Sequence, residues 1–437
     1  EIGVRLVGSE MCIRDRVSEG IRQSGTLGQV IKKLLPQGKT TVFKAQLRIL
    51  PSVAFISAFL NNTPVVVIFA PIIKHWAKSV NLPATKFLIP LSYVTILGGI
   101  CTLIGTSTNL VVHGMILEAG FEGFSMFELG KVGIFIAIAG IIYIFLFSKR
   151  LLPDARPDTA VPDEEVEEGE KLHRVEAVLG ARFPGINKKL KDFNFQRHYG
   201  AEVKEIKTRN GQRFVSNLEE VVLHEGDTLV VMADDTFIPT WGESSVFVLL
   251  TNGNEPDTTG KKKKRWFALL LLVLMIVGAT VGELPITKEM FPDIKLDMFF
   301  FVSITTIIMA WTNLFPARKY TKYISWDILI TIACAFAISK AMVNSGVADS
   351  VAKFIIGLSD DYGPHVLLAM VFIITNLFTE LITNNAAAAL AFPLALSISA
   401  QLGVSPTPFF VVICMAASAS FSTPIGYQTN LIVQGIG

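Results

Sequence analysis

The stretch TPIGYQTNLIVQG, residues 423–435, sets a proline, two glycines and a Thr-Asn pair between apolar runs. Residues 102–114 read TLIGTSTNLVVHG, and eight of the thirteen positions are identical across a spacing of 321 residues. A second echo, LNNTPVVVIFAP at 60–71 against ITNNAAAALAFP at 382–393, follows in the same order at an offset of 322. Two echoes in one order and at nearly one offset mark an internal repeat, and a repeat decides architecture ahead of any single element.

Composition says what kind of repeat it is. Hydrophobic residues make up 51% of the chain, Phe alone numbers 31, and only 17% of residues are charged, against about 25% in soluble domains. The apolar residues are concentrated in runs at 127–147, 266–282, 296–315 and 324–339, with further runs around 87–117 and 365–425. A helix of about 20 apolar residues crosses the hydrocarbon core of a bilayer, so the expected class is a polytopic membrane protein. A net charge of +2 gives no reason to expect a nucleic-acid partner. The basic run KKKKR at 261–265 abuts an apolar helix and reads as a cytoplasmic anchor. Cys101, Cys334 and Cys414 lie in apolar segments without metal-ligand or redox spacing.

The opening GVRLVGSEMCIRDR resembles translated sequencing adapter, and residues 1–16 are set aside as foreign. The chain stops at Gly437, directly after the second motif, and reads as a fragment lacking helices at both ends. The expected organisation is a first repeat at 17–150, an acidic linker at 151–172, a soluble domain at 173–240, a linker ending in the basic anchor at 241–265, and a second repeat at 266–437. In the soluble domain, AEVKEIKT and a strand ending HEGDTLVVMADD flank Asn210-Gly211, a strong hairpin signal. Leu190, Phe193, Phe195, Gly200 and Gly226–Val231 resemble the C-terminal module of regulator-of-potassium-conductance proteins. That likeness implies a cytoplasmic domain that dimerises and senses a small ligand; the alternative is a passive spacer. No GxGxxG is present.

With that domain in the cytoplasm, the helix ending at Lys149-Arg150 exits there and the helix beginning at Trp266 leaves from there. Basic residues then track the inner face: Arg318, Lys319, Lys322 and Lys86 fall inside, and Glu118, Glu122 and Glu128 outside. The first polar tip, 61–63, is flanked by Lys44, Arg48, Lys74 and Lys78 on the inside; the second, 383–385, by Asp349, Asp360 and Asp361 on the outside. Opposite entry faces make the repeat an inverted one. Apolar residues 49–60 and 64–73 around the first tip are too short to span and read as a re-entrant hairpin, and the repeat extends that reading to 365–382 and 386–400. The motifs at 102–114 and 423–435 interrupt helices, and unwound backbone is tolerated at membrane depth only where it lines a cavity or binds something. The fold expected is thus an all-α polytopic membrane protein with inverted repeats, re-entrant hairpins and broken helices, carrying a small α/β cytoplasmic domain between the repeats. Such repeats mark secondary transporters, which bind substrate and coupling ion where the repeats meet.

On these motifs the chain resembles the divalent anion:sodium symporter family, especially permeases with potassium-conductance-type modules in the central loop. The likeness runs from about residue 27 to 437. That family carries Ser-Asn-Thr at each tip; here the tips read Asn61-Asn62-Thr63 and Thr383-Asn384-Asn385, keeping only the central Asn. The resemblance implies one sodium site at Ser57, Asn61, Asn62 and the Gly105 carbonyl, and a mate at Thr379, Thr383, Asn384 and the Gly426 carbonyl. It places the anion between Asn62-Thr63 and Asn384-Asn385, with Thr108, Asn109, Thr429 and Asn430 nearby. Na⁺ is the only metal expected, with no catalytic residue, and the assembly implied is a plasma-membrane homodimer. Ser57 and Thr379 share the 322 offset independently of any family. Glu380 and Lys340 break the symmetry, as a coupling acid or as an ion pair.

The function expected is Na⁺-coupled symport of a small divalent anion, sulfate before dicarboxylate. A cation/proton antiporter or arsenite-type exporter is the alternative. An ATP-driven pump lacks its phosphate loop, since Gly38-Lys39-Thr40 is preceded by Lys33 where a Gly is needed. A potassium channel lacks its Thr-Val-Gly-Tyr-Gly filter, and no HExxH or GxSxG motif supports an enzyme.

Overall fold

The computed structural model describes residues 13–436 apart from 14, 23, 37, 155–171, 181, 209–211, 235–236, 242–245, 252–261, 283, 291–295, 297, 315–325, 358–362 and 425. Most of these residues are helical, and four helices are long and apolar enough to cross a membrane: Gly130–Leu151, Lys264–Gly282, Pro364–Leu381 and Asn384–Leu402. Their outer faces carry large apolar side chains in the open, among them Phe135, Ile138 and Leu146 on the first and Leu270 and Leu274 on the second. Such a shell is costly in water and carries no such cost against lipid tails.

The first half opens with a helical hairpin, Val42–Ser57 and Asn62–Ser79, turning at residues 58–61. Its arms hold 16 and 18 residues, roughly 24 and 27 Å at about 1.5 Å per residue. They are longer than the apolar runs because the helices continue through Lys44, Arg48, Lys74 and Lys78, whose long stems carry the charge beyond the apolar zone. A broken helix follows, Thr85–Gly99 and then Ser107–Glu118, with residues 100–106 unwound between. The second half repeats the pattern: a hairpin of Pro364–Leu381 and Asn384–Leu402, then Thr407–Ser418 and Gln428–Ile436, with residues 419–424, 426 and 427 unwound between. Pro71 and Pro393 interrupt the second arm of each hairpin 322 residues apart, and each lacks the N–H that its helix would use there.

Packing joins the halves crosswise. Within each, the first hairpin arm lies on the first segment of the broken helix. Between them, Asn384–Leu402 packs on Ser107–Glu118, and Gln428–Ile436 packs on Asn62–Ser79. The approach is close at Gly98, where a Cβ would stand 2.1 Å from the Ala54 carbonyl oxygen.

Buried Lys86, near the start of Thr85–Gly99, caps Gly130–Leu151: its Nζ donates to the carbonyls of Lys149 (2.9 Å) and Leu152 and lies 3.4 Å from Asp154 Oδ1. A cation on the carbonyl end of a helix is favourably placed. It also puts Lys86 and Lys149-Arg150 at the same end of the bundle.

The inserted region contributes five strands, β1 His173–Leu179, β2 Glu202–Lys207, β3 Arg213–Phe214, β4 Thr228–Ala233 and β5 Phe247–Thr251. They form one antiparallel sheet in the order β3-β2-β4-β1-β5. Strand β5 pairs with β1, so the sheet runs past the boundary expected at residue 240. Phe183, Phe193, Phe195, Tyr199 and Phe247 form its aromatic core. The antiparallel pairing of Ile206 with Phe214 is what a β2–β3 hairpin requires, and its turn, Asn210-Gly211, lies outside the described residues. Also outside them are most of the acidic linker, Lys261, Arg318, Lys319, Lys322, Asp360 and Asp361. The sheet meets the helices at Glu176, which pairs with Lys74 (3.2 Å) and Lys207 (3.3 Å), and at Thr228, which donates to the Gly435 carbonyl (2.6 Å).

Candidate functional site

The tips of the two hairpins are closed by the same side-chain pairing. In the first hairpin Ser57 Oγ, from the last turn of Val42–Ser57, lies 2.7 Å from Asn62 Oδ1. In the second, Thr379 Oγ1 lies 2.8 Å from Asn384 Oδ1. All four side chains are buried.

Around the first pair the unwound backbone closes in. The Asn62 amide position facing Ser57 is 3.2 Å from the carbonyl oxygen of Gly105 and 3.2 Å from that of Thr95. Around the second, Thr379 Oγ1 donates to the Ala417 carbonyl at 2.6 Å. A Cβ on Gly426 would stand 2.8 Å from the Thr379 carbonyl oxygen, which places Gly426 against this cluster. Thr95 and Ala417 are themselves 322 residues apart. Neither was singled out from the sequence, because a main-chain carbonyl leaves no residue signature.

The unwound loops are built on a common plan as well. Thr102 Oγ1 donates to the Ala58 carbonyl and accepts from Gly105 N (3.1 Å); Thr423 Oγ1 donates to the Glu380 carbonyl (3.1 Å) and accepts from Gly426 N (3.3 Å). Asn109 Nδ2 donates to the Thr102 carbonyl (2.9 Å), and Asn430 Nδ2 to the Thr423 carbonyl (3.3 Å) and the Ser420 carbonyl (2.8 Å). Asn430 Oδ1 also accepts from Ser92 Oγ at 2.7 Å. Asn109 and Asn430, expected beside the anion, are therefore used to hold carbonyls that the broken helices release.

Between the clusters the two halves reach across to one another. Asn62 Nδ2 and Tyr427 Oη are 2.7 Å apart, Tyr427 Oη is 3.1 Å from Thr106 Oγ1, and Thr63 Oγ1 donates to Gln428 Oε1 at 3.2 Å. In the reverse direction Thr108 Oγ1 donates to Asn385 Oδ1 at 3.3 Å. Of the residues assigned to the anion, Asn62, Thr63, Thr108 and Asn385 are thus bonded across the two halves, while Asn384 is held by Thr379 within its own hairpin. Among the described residues the hydroxyl of fully buried Thr429 and Asn109 Oδ1 have no hydrogen-bond partner. Tyr427 and Gln428 were not anticipated, since an aromatic residue inside an apolar motif reads as packing. Asn61 and Thr383, each the first residue of its tip, stand apart: Asn61 Nδ2 donates to Asp15 Oδ1 at 3.5 Å, and Thr383 is exposed.

Glu380 does not pair with Lys340, which is exposed on Trp326–Asn344. Its carboxylate instead accepts from the backbone N–H groups of Phe421 (2.9 Å), Ser422 (3.0 Å) and Thr423 (2.8 Å). The physical reason is proximity: the loop at 420–423 passes directly over the end of Pro364–Leu381 and leaves three helix-less donors there. No three His, Cys, Asp or Glu side chains among the described residues gather to hold a metal ion. The two clusters are made of neutral oxygens, a donor set for a hard cation of low charge.

Comparison with known proteins supports a transport role. A family model described as citrate transporter matches residues 17–404 and 294–437. An uncharacterized transporter of Synechocystis is 28% identical over 506 residues, covering 96% of this chain and 82% of the relative. Sodium/sulfate cotransporter 2 of Chlamydomonas reinhardtii is 32% identical over 270 residues, 61% of this chain and 29% of the relative. The sodium-dependent dicarboxylate transporter SdcS of Staphylococcus saprophyticus is 30% identical over 119 residues, 27% of this chain and 23% of the relative.

Proposed function

Because the chain belongs to the citrate transporter family, we propose that this membrane transporter carries a small divalent anion into the cell together with Na⁺, sulfate in preference to a dicarboxylate. The observation that carries the reading is the pair of oxygen clusters at matched positions, Ser57–Asn62 with the Gly105 and Thr95 carbonyls and Thr379–Asn384 with the Ala417 carbonyl. Neutral oxygens of this kind suit Na⁺, and the converging hydroxyls and amides between them suit an oxyanion. Inverted repeats meeting at such tips are the architecture in which alternating access works. The contacts of Lys86 with the end of Gly130–Leu151 and of Lys74 with the sheet support a common cytoplasmic face. On this reading the sheet is a regulatory module of the potassium-conductance type, and the transporter is a homodimer in the plasma membrane. The names of the sodium/sulfate and dicarboxylate relatives support the substrate class.

The energetics are adequate. Each tenfold Na⁺ gradient supplies about 1.4 kcal/mol, so two Na⁺ per dianion support roughly 100-fold accumulation without moving net charge.

Uptake of labelled sulfate and succinate into proteoliposomes, under Na⁺, K⁺ or proton gradients, tests the reading. Sulfate uptake that requires Na⁺ and disappears in Asn62→Ala and Asn384→Ala is expected. A protein that moves neither anion under Na⁺ yet dissipates a cation gradient is the antiporter instead.

A further inference from the structure

The amide of Asn62 stands between two chemically unlike neighbourhoods. On its inner side are Ser57 Oγ at 2.7 Å and the carbonyl oxygens of Gly105 and Thr95, each at 3.2 Å. Its outer side meets Tyr427 Oη at 2.7 Å, which in turn is 3.1 Å from Thr106 Oγ1. Oxygen and nitrogen of a side-chain amide occupy nearly equivalent positions, so its partners decide which end faces which way.

Two arrangements are self-consistent. With nitrogen inward, the NH₂ donates to the inner oxygens and Asn62 Oδ1 accepts the Tyr427 hydroxyl proton. With oxygen inward, Asn62 Oδ1 confronts two carbonyls that have no proton to give, a repulsive arrangement unless a cation lies among them. Na⁺ there supplies what is missing, because all four inner atoms are then oxygens. The outward NH₂ now donates to Tyr427 Oη, and the phenolic O–H turns to donate to another acceptor.

We propose that Asn62 and Tyr427 form a relay that turns Na⁺ binding in the first half into a hydrogen-bond donor for the anion. Rotation of one amide and one hydroxyl suffices; no bond is made or broken and no proton changes owner. The relay is one-sided. Tyr427 corresponds by the repeat offset to Thr106, whose short side chain reaches the Tyr427 hydroxyl rather than the tip of the other hairpin. A ligand shifts an equilibrium only through differential affinity for the two states, and this amide has two states that Na⁺ distinguishes.

The inference rests on the symport reading above, and the test separates the two. Half-saturating sulfate is measured at low and high Na⁺ in wild type and Tyr427→Phe proteoliposomes, with Na⁺-dependent thermal protection as the check on folding and cation binding. Wild-type sulfate affinity should improve about tenfold or more with Na⁺, the size of a typical site–site coupling. Tyr427→Phe should keep its Na⁺ protection but lose most of that improvement. Tyr427→Thr, which copies Thr106, should behave in the same way and serves if the Phe variant does not fold. Either variant retaining the wild-type Na⁺ dependence overturns the relay and leaves symport standing. A wild type without Na⁺-driven anion uptake overturns the symport reading itself.

Discussion

Glu380 shows how one side chain is used when a helix is broken. Three consecutive N–H groups at 421–423 have no helical partner, and one carboxylate accepts from all three. Charge-assisted bonds to backbone N–H are about twice as strong as neutral ones. The first half has Ala58 at the equivalent position and holds its loop by a neutral bond from Leu103 N to the Met126 carbonyl at 3.0 Å. Glu380→Ala should therefore lower thermal stability by roughly 1–3 kcal/mol, the cost of stranded donors, and weaken Na⁺ affinity through the adjacent Thr379–Gly426 cluster. Glu380→Gln, which keeps one acceptor, should lose about half as much. Thermal unfolding in detergent and the Na⁺ concentration for half-maximal uptake check both. Were Glu380 a proton-coupling acid, the Gln variant would stop transport without altering stability. Lys86 is a second single-residue prop, 3% exposed over the end of Gly130–Leu151. Lys86→Met should destabilise by about 1–3 kcal/mol. Asp154→Asn, at an 89% exposed partner, should change almost nothing.

Elements meet here through glycine. A Cβ at Gly98 would collide with backbone, the Ala54 carbonyl at 2.1 Å, whereas one at Gly140 would meet only the movable end of Leu97, at 2.6 Å. Gly98→Ala must push the first hairpin off Thr85–Gly99 and should cost roughly 1–3 kcal/mol, shifting the Ser57–Asn62 cluster with it. Gly140→Ala should be tolerated within about 1 kcal/mol by rotation of Leu97. Comparison of melting temperatures and Na⁺ protection for the two variants decides. The same scale shows what was legible in the sequence. Side-chain oxygens at a fixed offset, Ser57 with Thr379 and Asn62 with Asn384, announced themselves in the sequence. The carbonyls of Thr95 and Ala417 did not, because every residue has one and only the fold says which are freed. Arm lengths were underestimated because an apolar run ends at the first lysine while the helix does not. The roles of Asn109 and Asn430 as loop staples were hidden for a related reason: an Asn that binds a ligand and one that binds a carbonyl look alike in sequence.

At the scale of the whole molecule, the sheet is tied to the first hairpin through Glu176, set between Lys74 on Asn62–Ser79 and Lys207 on β2. Burial alone would raise its pKa, but the two lysines outweigh that and hold the carboxyl below the ordinary glutamate value. The folded value lies below the unfolded one, so the contribution is fully present above the ordinary value of about 4.3 and is lost as pH falls through the lowered one. The junction is accordingly constant across the neutral range and fails only in acid. Glu176→Gln should remove it at every pH. It leaves Lys74 with its bond to the Ile436 carbonyl at 2.7 Å, and Thr228 still bonded to Gly435. The Thr228–Gly435 bond and the packing of Val178 against Gly435 and of Gly226 against Leu431 keep the sheet in place, so the change expected is looser docking rather than release. Hydrogen exchange at neutral pH should then rise in β1 and in the last turns of Asn62–Ser79 while the aromatic core at Phe183 and Phe195 stays protected. Exchange rising throughout the sheet would mean that Glu176 supports the domain itself; exchange unchanged at both places would mean that the ion pairs carry no part of the docking. The first outcome makes this junction the point at which any event in the sheet reaches the hairpin whose tip holds Asn62.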